Sequence, residues 1–197
     1  MAEIEVPNPE EIHERGETAF GRRAALTTAI YAIVLSIAAL GGNNTVKEML
    51  LAQQQSSDQW AFYQAKVIRE HQYRGQKMIL ETQLAEPSTL KGAERAKVEA
   101  LAAKFAEEEK RYNAEKKDIE KDAKKLEAVR DLSATRDPYF DLAEVFLQIA
   151  IVMSSVSILS RSRPVFYFSL LLAVVGATLT LNGYFILFQL PWLHEGH

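Results

Sequence analysis

Glu144 is the only charged residue within three apolar runs, Ala24–Gly42, Leu142–Leu159 and Val165–Leu193. An ionisable side chain in such a run is costly to desolvate and is retained where it meets protein, water or a ligand. It has polar company at helical spacing: Asp137, Asp141, Glu144, Gln148 and Ser155 fall along one face of the second run. Asn182 of the third run lies at a similar depth to Glu144, so a contact of Asn182 with Glu144 or Gln148 is expected. Two chemistries fit this set. One is a cation or proton path, or a ligand site. The plainer one is an interhelical hydrogen-bond network that fixes packing or oligomer register.

Other chemistry is thinly represented. The chain has no cysteine, which excludes disulfides, thiolate catalysis and Cys-based metal sites. His194 and His197 share a weak metal spacing but read as a polar tail, and His13 and His71 have no ligand pattern around them. No nucleophile motif, phosphate loop or dinucleotide fingerprint is present. The expectation is therefore no enzyme, no cofactor and no metal. Between Asn43 and Asp141 basic and acidic residues are equal in number, which lacks the one-sided basic excess of a nucleic-acid partner.

The runs that carry the polar stripe must be helices if they lie in a bilayer, because every backbone group there has to be satisfied within its own segment. About twenty residues at 1.5 Å each cross a hydrocarbon core of about 30 Å. The first run could also be a cleavable signal sequence, but the preceding Glu3, Glu5, Glu10, Glu11, Glu14 and Glu17 are unlike one. Asp137-Pro138 reads as an N-cap followed by proline at the first helical position. The short Ser160–Pro164 link makes the second and third runs an antiparallel pair. Phe166, Tyr167 and Phe168 at one end of the third run, and Phe185, Phe188 and Trp192 at the other, resemble interfacial belts. Arg22 and Arg23 before the first run, and Arg161 and Arg163 in the link, are topology anchors: positive flanks stay cytoplasmic. The charged middle and the C-terminus then lie outside, in the periplasm if the membrane is a bacterial inner membrane.

Within the middle, Thr45-Val46-Lys47-Glu48 reads as a capping box that starts a helix after Gly41-Gly42-Asn43-Asn44. Glu86-Pro87-Ser88-Thr89 breaks it, and a second helical arm follows to about Thr135. Val98, Phe105, Tyr112, Ile119 and Leu126 recur every seven residues, with Leu101 and Val129 at a companion position three later, a coiled-coil seam interrupted by Glu108, Glu115 and Asp122. The first arm is less regular. Folding about Pro87 sets Trp60 near Glu115 and Val67 near Glu108, with Lys66 and Arg69 as partners for those acids. Trp60, Tyr63 and Lys66 form the candidate contact stretch of this hairpin. Asn8-Pro9 reads as the capped start of a short helix ending near Phe20.

Ser57-Asp58-Gln59-Trp60-Ala61-Phe62-Tyr63-Gln64-Ala65-Lys66 and Phe146-Leu147-Gln148-Ile149-Ala150-Ile151-Val152-Met153 resemble the signature stretches of an uncharacterised bacterial inner-membrane family, domain of unknown function 4337. The resemblance extends over the layout of nearly the whole chain and implies no activity. It draws attention to Gln148, which falls inside the second stretch, over Glu144, which does not.

The expected fold is an all-α membrane protein with three transmembrane helices and a long antiparallel helical hairpin, a coiled coil, inserted between the first and second. Its parts are residues 1–23, a cytoplasmic segment with a short helix; 24–42, 138–160 and 165–193, the transmembrane helices; 43–137, the extramembrane hairpin; 161–164, a cytoplasmic turn; and 194–197, a tail. A two-helix hairpin buries little alone, so homo-oligomerisation in the lipid bilayer, as a scaffold or interaction protein, is expected. A small ion-conducting assembly lined by the stripe is the alternative, and an accessory subunit of a larger membrane complex, binding other membrane proteins, is a further one.

Overall fold

The computed structural model describes residues 9–86 and 91–190, with side chains from Ala19 onward. The described residues are helical apart from turns: α1 spans Pro9–Ala85, α2 Ala93–Leu159 and α3 Arg163–Phe185. Each helix contains a stretch long and apolar enough to cross a membrane. His194, His197 and Trp192, and the Pro87–Thr89 breaker, lie outside the described residues.

Two expected boundaries do not exist. The short N-terminal helix, the first apolar run and the first arm are one helix, α1, with no break at Gly41-Gly42-Asn43-Asn44. Thr45 does not open a helix; it is buried in the middle of one, and the Glu48 carboxylate accepts a hydrogen bond from Ser133 at 3.3 Å. The glycines serve a close approach instead of a turn. A Cβ on Gly41 would sit 2.5 Å from the Phe140 ring and one on Gly42 3.2 Å from Phe140 Cβ. Two glycines in a helix cost roughly 2 kcal/mol relative to alanine, and burying one phenylalanine returns about as much. Likewise Asp137-Pro138 does not begin a helix: Pro138 lies inside α2. An internal proline forfeits one backbone hydrogen bond and costs ~3 kcal/mol. The next two residues, Tyr139 and Phe140, are fully buried, and at roughly 1.5–3 kcal/mol each they offset that cost.

The chain forms two compact units, one from Met1–Glu48 with Leu132–His197 and one from Met49–Asp131. In the first unit all three helices supply the core, with Tyr31 and Ala38 from α1, Tyr139, Ala143, Leu147 and Ala150 from α2, and Leu172, Ala173 and Leu179 from α3. Phe140 is held between Gly41 and Gly42 on one side and Gly183 on the other, and meets the Tyr184 ring edge-on at 5.0 Å. The α2–α3 turn is a Schellman closure: Ser162 N–H donates to Ser157 O at 3.1 Å and Arg161 N–H to Ile158 O at 3.4 Å. Arg161 takes the left-handed position usually given to glycine, at φ 51°.

In the second unit, residues of α1 and α2 pair with numbers that rise along one helix as they fall along the other. Along α1 every position of an alternating three-and-four spacing, from Ala52, Ser56, Gln59 and Tyr63 through Lys66, Glu70, Tyr73 and Lys77 to Leu80 and Leu84, is at least half-buried. On α2 the expected seven-residue set Val98, Phe105, Tyr112, Ile119 and Leu126 is turned inward, but its companion lies four residues later, at Ala102, Glu109, Lys116 and Ala123. Leu101 and Val129 are outside that seam, 41% and 38% exposed. The pairing is also offset: Trp60 faces Glu127 and not Glu115, about three turns along α2.

Candidate functional site

The inward face of the second unit is charged and aromatic where a helix pair is normally apolar. Tyr112, 4% exposed, sits at its centre. Its hydroxyl oxygen accepts from Arg69 at 3.4 Å and Arg111 at 3.2 Å, and these two hydrogen bonds hold the phenol below its ordinary pKa. Tyr73 stacks on its ring at 5.6 Å with the planes 13° apart, and the Lys66 ammonium lies 5.1 Å from the ring centroid. Lys66 in turn donates to Glu115 at 2.6 Å, a bond that holds the Glu115 carboxyl below its usual range. The expectation that Lys66 and Arg69 serve this contact is met in part: Lys66 finds Glu115, whereas Arg69 finds Tyr112 and Glu108 is bound by Arg111 within α2.

One turn along, Glu70 is 5% exposed and accepts from Lys116 and from Asn113, the latter at 2.8 Å. Burial pushes its carboxyl up, but those two hydrogen bonds together with the Lys116 charge outweigh burial and leave it below the ordinary value. Lys77 donates to Glu109 at 2.7 Å, and that bond raises the ammonium's pKa. Nearer the other end Trp60 donates to Glu127 at 2.8 Å and meets Tyr63 edge-on at 5.4 Å. Of the three residues expected to carry contacts here, Trp60 and Lys66 hydrogen-bond across to α2, while Tyr63 packs its ring against Trp60 on its own helix. Such pairs across a partly dry seam select one register, since a shift of one turn would strand every charge.

In the first unit the polar stripe is not interior. Asp141, Gln148 and Ser155 are exposed and Glu144 is half-buried. The Glu144 carboxylate reaches α1, lying 3.6 Å from where a Gly42 Cβ would be. Asn182 does not meet it. Fully buried, Asn182 donates to Phe188 O and accepts from Phe188 N–H, both at 2.9 Å, and so ties down the chain after α3. Tyr139 completes the tie, its hydroxyl accepting from Leu190 N–H at 2.9 Å and donating to Phe188 O at 3.3 Å. These bonds support Ile186, a β-branched residue at φ 48°, a conformation that needs such over-determination.

Spacing alone selected the wrong neighbour in one case. Ser155 points outward and returns its hydroxyl to Ile151 O at 3.0 Å. Ser154, one residue earlier, is fully buried and accepts from the Thr28 hydroxyl at 2.7 Å, joining α2 to α1. The buried Ser154, Ser157 and Ser169 and the Tyr139–Asn182 tie escaped sequence reasoning. Hydroxyl residues within apolar runs are the signal that could have pointed to the serines.

Arg22, Arg23, Arg161 and Arg163, expected from the sequence as topology anchors, are exposed. Phe20 and Phe166 touch edge-on at 5.6 Å, which brings the arginines of α1 and those of the α2–α3 turn to the same end of the first unit. Among the described residues no group of three or more His, Cys, Asp or Glu side chains could hold a metal ion.

A family model described as Domain of unknown function (DUF4337) matches residues 20–186. No curated protein and no solved structure matches the chain.

Proposed function

The chain belongs to the DUF4337 family, and from that premise we propose that it is a non-enzymatic, multi-pass protein of a bacterial inner membrane that self-associates as a scaffold or interaction protein. In this reading α2 from Pro138, α3 and the apolar part of α1 span the bilayer. The N-terminus and the Arg161–Arg163 turn face the cytoplasm. Residues 43–137 form an antiparallel coiled-coil hairpin in the periplasm. The observation that carries it is the outer surface of the first unit. Leu26, Ile30, Ile33, Ile37 and Leu40 of α1, Val145, Ile149, Val152 and Val156 of α2, and Leu171, Val174 and Leu181 of α3 are all strongly exposed. Apolar surface on that scale needs lipid or protein against it.

Gln148 supports self-association specifically. It is exposed on that apolar face, where an amide without a partner is costly and an interhelical hydrogen bond with another copy satisfies it. The full chain in mild detergent is expected to run as an oligomer by light scattering, with Gln148→Leu shifting it toward monomer. A wild-type monomer defeats the proposal. The exposure of Gln148, one turn from the half-buried Glu144, favours a second reading, in which several copies turn their stripes toward one another and line an ion path. That version requires ion flux in reconstituted vesicles that falls on Glu144→Ala or Gln148→Ala.

A further inference from the structure

In the second unit α1 buries one face against α2 and leaves another bare. Leu51, Ala61, Ala65, Ile68 and Ile79 are all exposed, Leu51, Ile68 and Ile79 at 63%, 59% and 61%. With Gln54, Asp58, Gln72 and Gly75 between them they fall at alternating three- and four-residue steps, the frame of a coiled-coil seam. This line lies nearly opposite the inward frame from Ala52 to Leu84. Single apolar residues on a surface are ordinary, but a line of them in one helical register is a contact surface.

Charge separates this line from its counterpart on α2. Asp58 is its only charged member from Leu51 to Ile79. The exposed line on α2, taken in the same steps from Ala100 to Ala128, holds Lys104, Glu107, Arg111, Asp118, Lys121 and Lys125. Interface cores are depleted of charge, because each buried charge has to be paired. The α2 line is therefore a solvated face and a poor cover for the α1 line of another copy. Lipid is no cover either, since residues 43–137 lie outside the bilayer in the membrane reading above. A second α1 fits. Glutamine amides both donate and accept, so Gln54 and Gln72 can each bond to their own copy. Side by side and in register, the flanking residues pair as Ser57–Phe62, Gln64–Arg69, His71–Gln76 and Met78–Gln83, and none of these sets like charge against like. Counted back along the sequence, the same steps reach Leu40, Ile37, Ile33, Ile30 and Leu26, part of the apolar surface that already calls for a cover.

We propose that the bare face of α1 from Leu51 to Ile79 pairs with the same face of a second copy, as a parallel, in-register coiled coil. The proposal rests on the self-association and membrane readings above, since two copies inserted alike in one bilayer run their α1 helices in the same direction. Each layer then meets its own kind, Ala65 on Ala65 and Ile68 on Ile68. Asp58 is the opposing layer: two carboxylates face each other there, which fixes register at a cost in affinity.

The chain has no cysteine of its own, so single cysteines placed in the full chain and oxidised in native membranes read out the pairing. Ala61→Cys, Ala65→Cys and Ile68→Cys are each expected to give a disulfide-linked homodimer, because in a parallel pair each residue comes within disulfide reach of its own copy. Ala114→Cys, on the charged line of α2, is expected to stay unlinked. No linked dimer at the α1 positions, or an equal yield at Ala114→Cys, overturns the proposal. Linking only in mixtures of two different α1 variants would mark an antiparallel pair, and a linked product of any mass other than the homodimer would mark another partner; either overturns it. In detergent, Ala65→Glu is expected to weaken dimerisation of the full chain by at least about tenfold and Asp58→Asn to strengthen it about tenfold. Both positions are exposed, so the contacts of α1 with α2 are untouched, and wild-type affinity in both variants also overturns the pairing. An oligomer by light scattering without the α1 cross-links removes this surface and leaves self-association standing, whereas a monomer removes self-association itself.

Discussion

Removing the Glu70 carboxylate would strand Lys116 and Asn113 in the seam of the second unit, because Glu70 accepts from both and is itself buried. Breaking a buried pair by deleting one partner typically costs ~3–5 kcal/mol, whereas replacing both partners by packed apolar groups is often neutral or stabilising. Glu70→Ala is thus expected to lower unfolding stability by about that amount, and Glu70→Leu with Lys116→Met to recover most of it. Chemical denaturation of the full chain in detergent, followed by helical circular dichroism, checks both. A double variant no better than the single would show that the carboxylate does more than satisfy Lys116. The exposed pairs Arg95–Glu99 and Lys125–Asp122 lie within one helix, and their removal should leave stability nearly unchanged.

Glycine separates the helices by what each one meets. Gly41 and Gly183 face the Phe140 ring and Gly176 faces Leu147, each so closely that an added Cβ would fall inside 3.0 Å, whereas Gly75 has nothing within 4 Å. Gly41→Ala is expected to destabilise by ~1–3 kcal/mol through overpacking. Gly75→Ala is expected to stabilise by roughly 0.5–1 kcal/mol through helix propensity. Thermal melts of the two variants should therefore move in opposite directions; parallel shifts would contradict the packing described. The same contrast explains what was legible beforehand. Three apolar helices and the Val98-to-Leu126 period are readable because their signal is hydrophobicity itself. The matching frame on α1 is not, because its inward positions include Ser56, Gln59, Lys66, Glu70 and Lys77, residues that any apolar-pattern search rejects. Gly41-Gly42 and Pro138 read as breaks because local propensity opposes a helix there, and the burial of Tyr139 and Phe140 that overrides it is non-local. The stripe of Asp141, Glu144, Gln148 and Ser155 is correctly spaced, but spacing does not reveal which side of a helix faces its neighbours. Buried Asn182 satisfies itself at Phe188, a partner beyond its own helix that no periodicity announces.

At the scale of the whole molecule the two units rest on opposite physics. The first is held by close-packed apolar and small residues, with Phe140 against glycines and Ser154 against Thr28. Among its described residues the second has few buried apolar side chains, Ala52, Ala102, Tyr112 and Ala123, and is joined by Lys66–Glu115, Lys116–Glu70 and Lys77–Glu109. Their responses to acid must therefore differ. Glu70 and Glu115 have folded-state pKa values below the ordinary 4.5, so in the interval beneath 4.5 the unfolded chain binds more protons than the folded one. The stability these carboxylates contribute is complete above 4.5 and is lost as pH falls through their folded-state values. Hydrogen exchange on the full chain in detergent, stepped from neutral pH down through that range and corrected for the intrinsic exchange rate, should show amides of Met49–Asp131 losing protection first. Amides around Ala143, Leu147 and Leu179 should keep theirs, because among the described residues the packing around them is apolar and is joined by no ion pair. Simultaneous loss in both units, or earlier loss in the first, would mean that the ion pairs are surface decoration and that the second unit is held by its aromatic contacts instead. Retained protection across Met49–Asp131 in acid would carry the same meaning, since a seam that survives protonation of Glu70 owes little to Lys116.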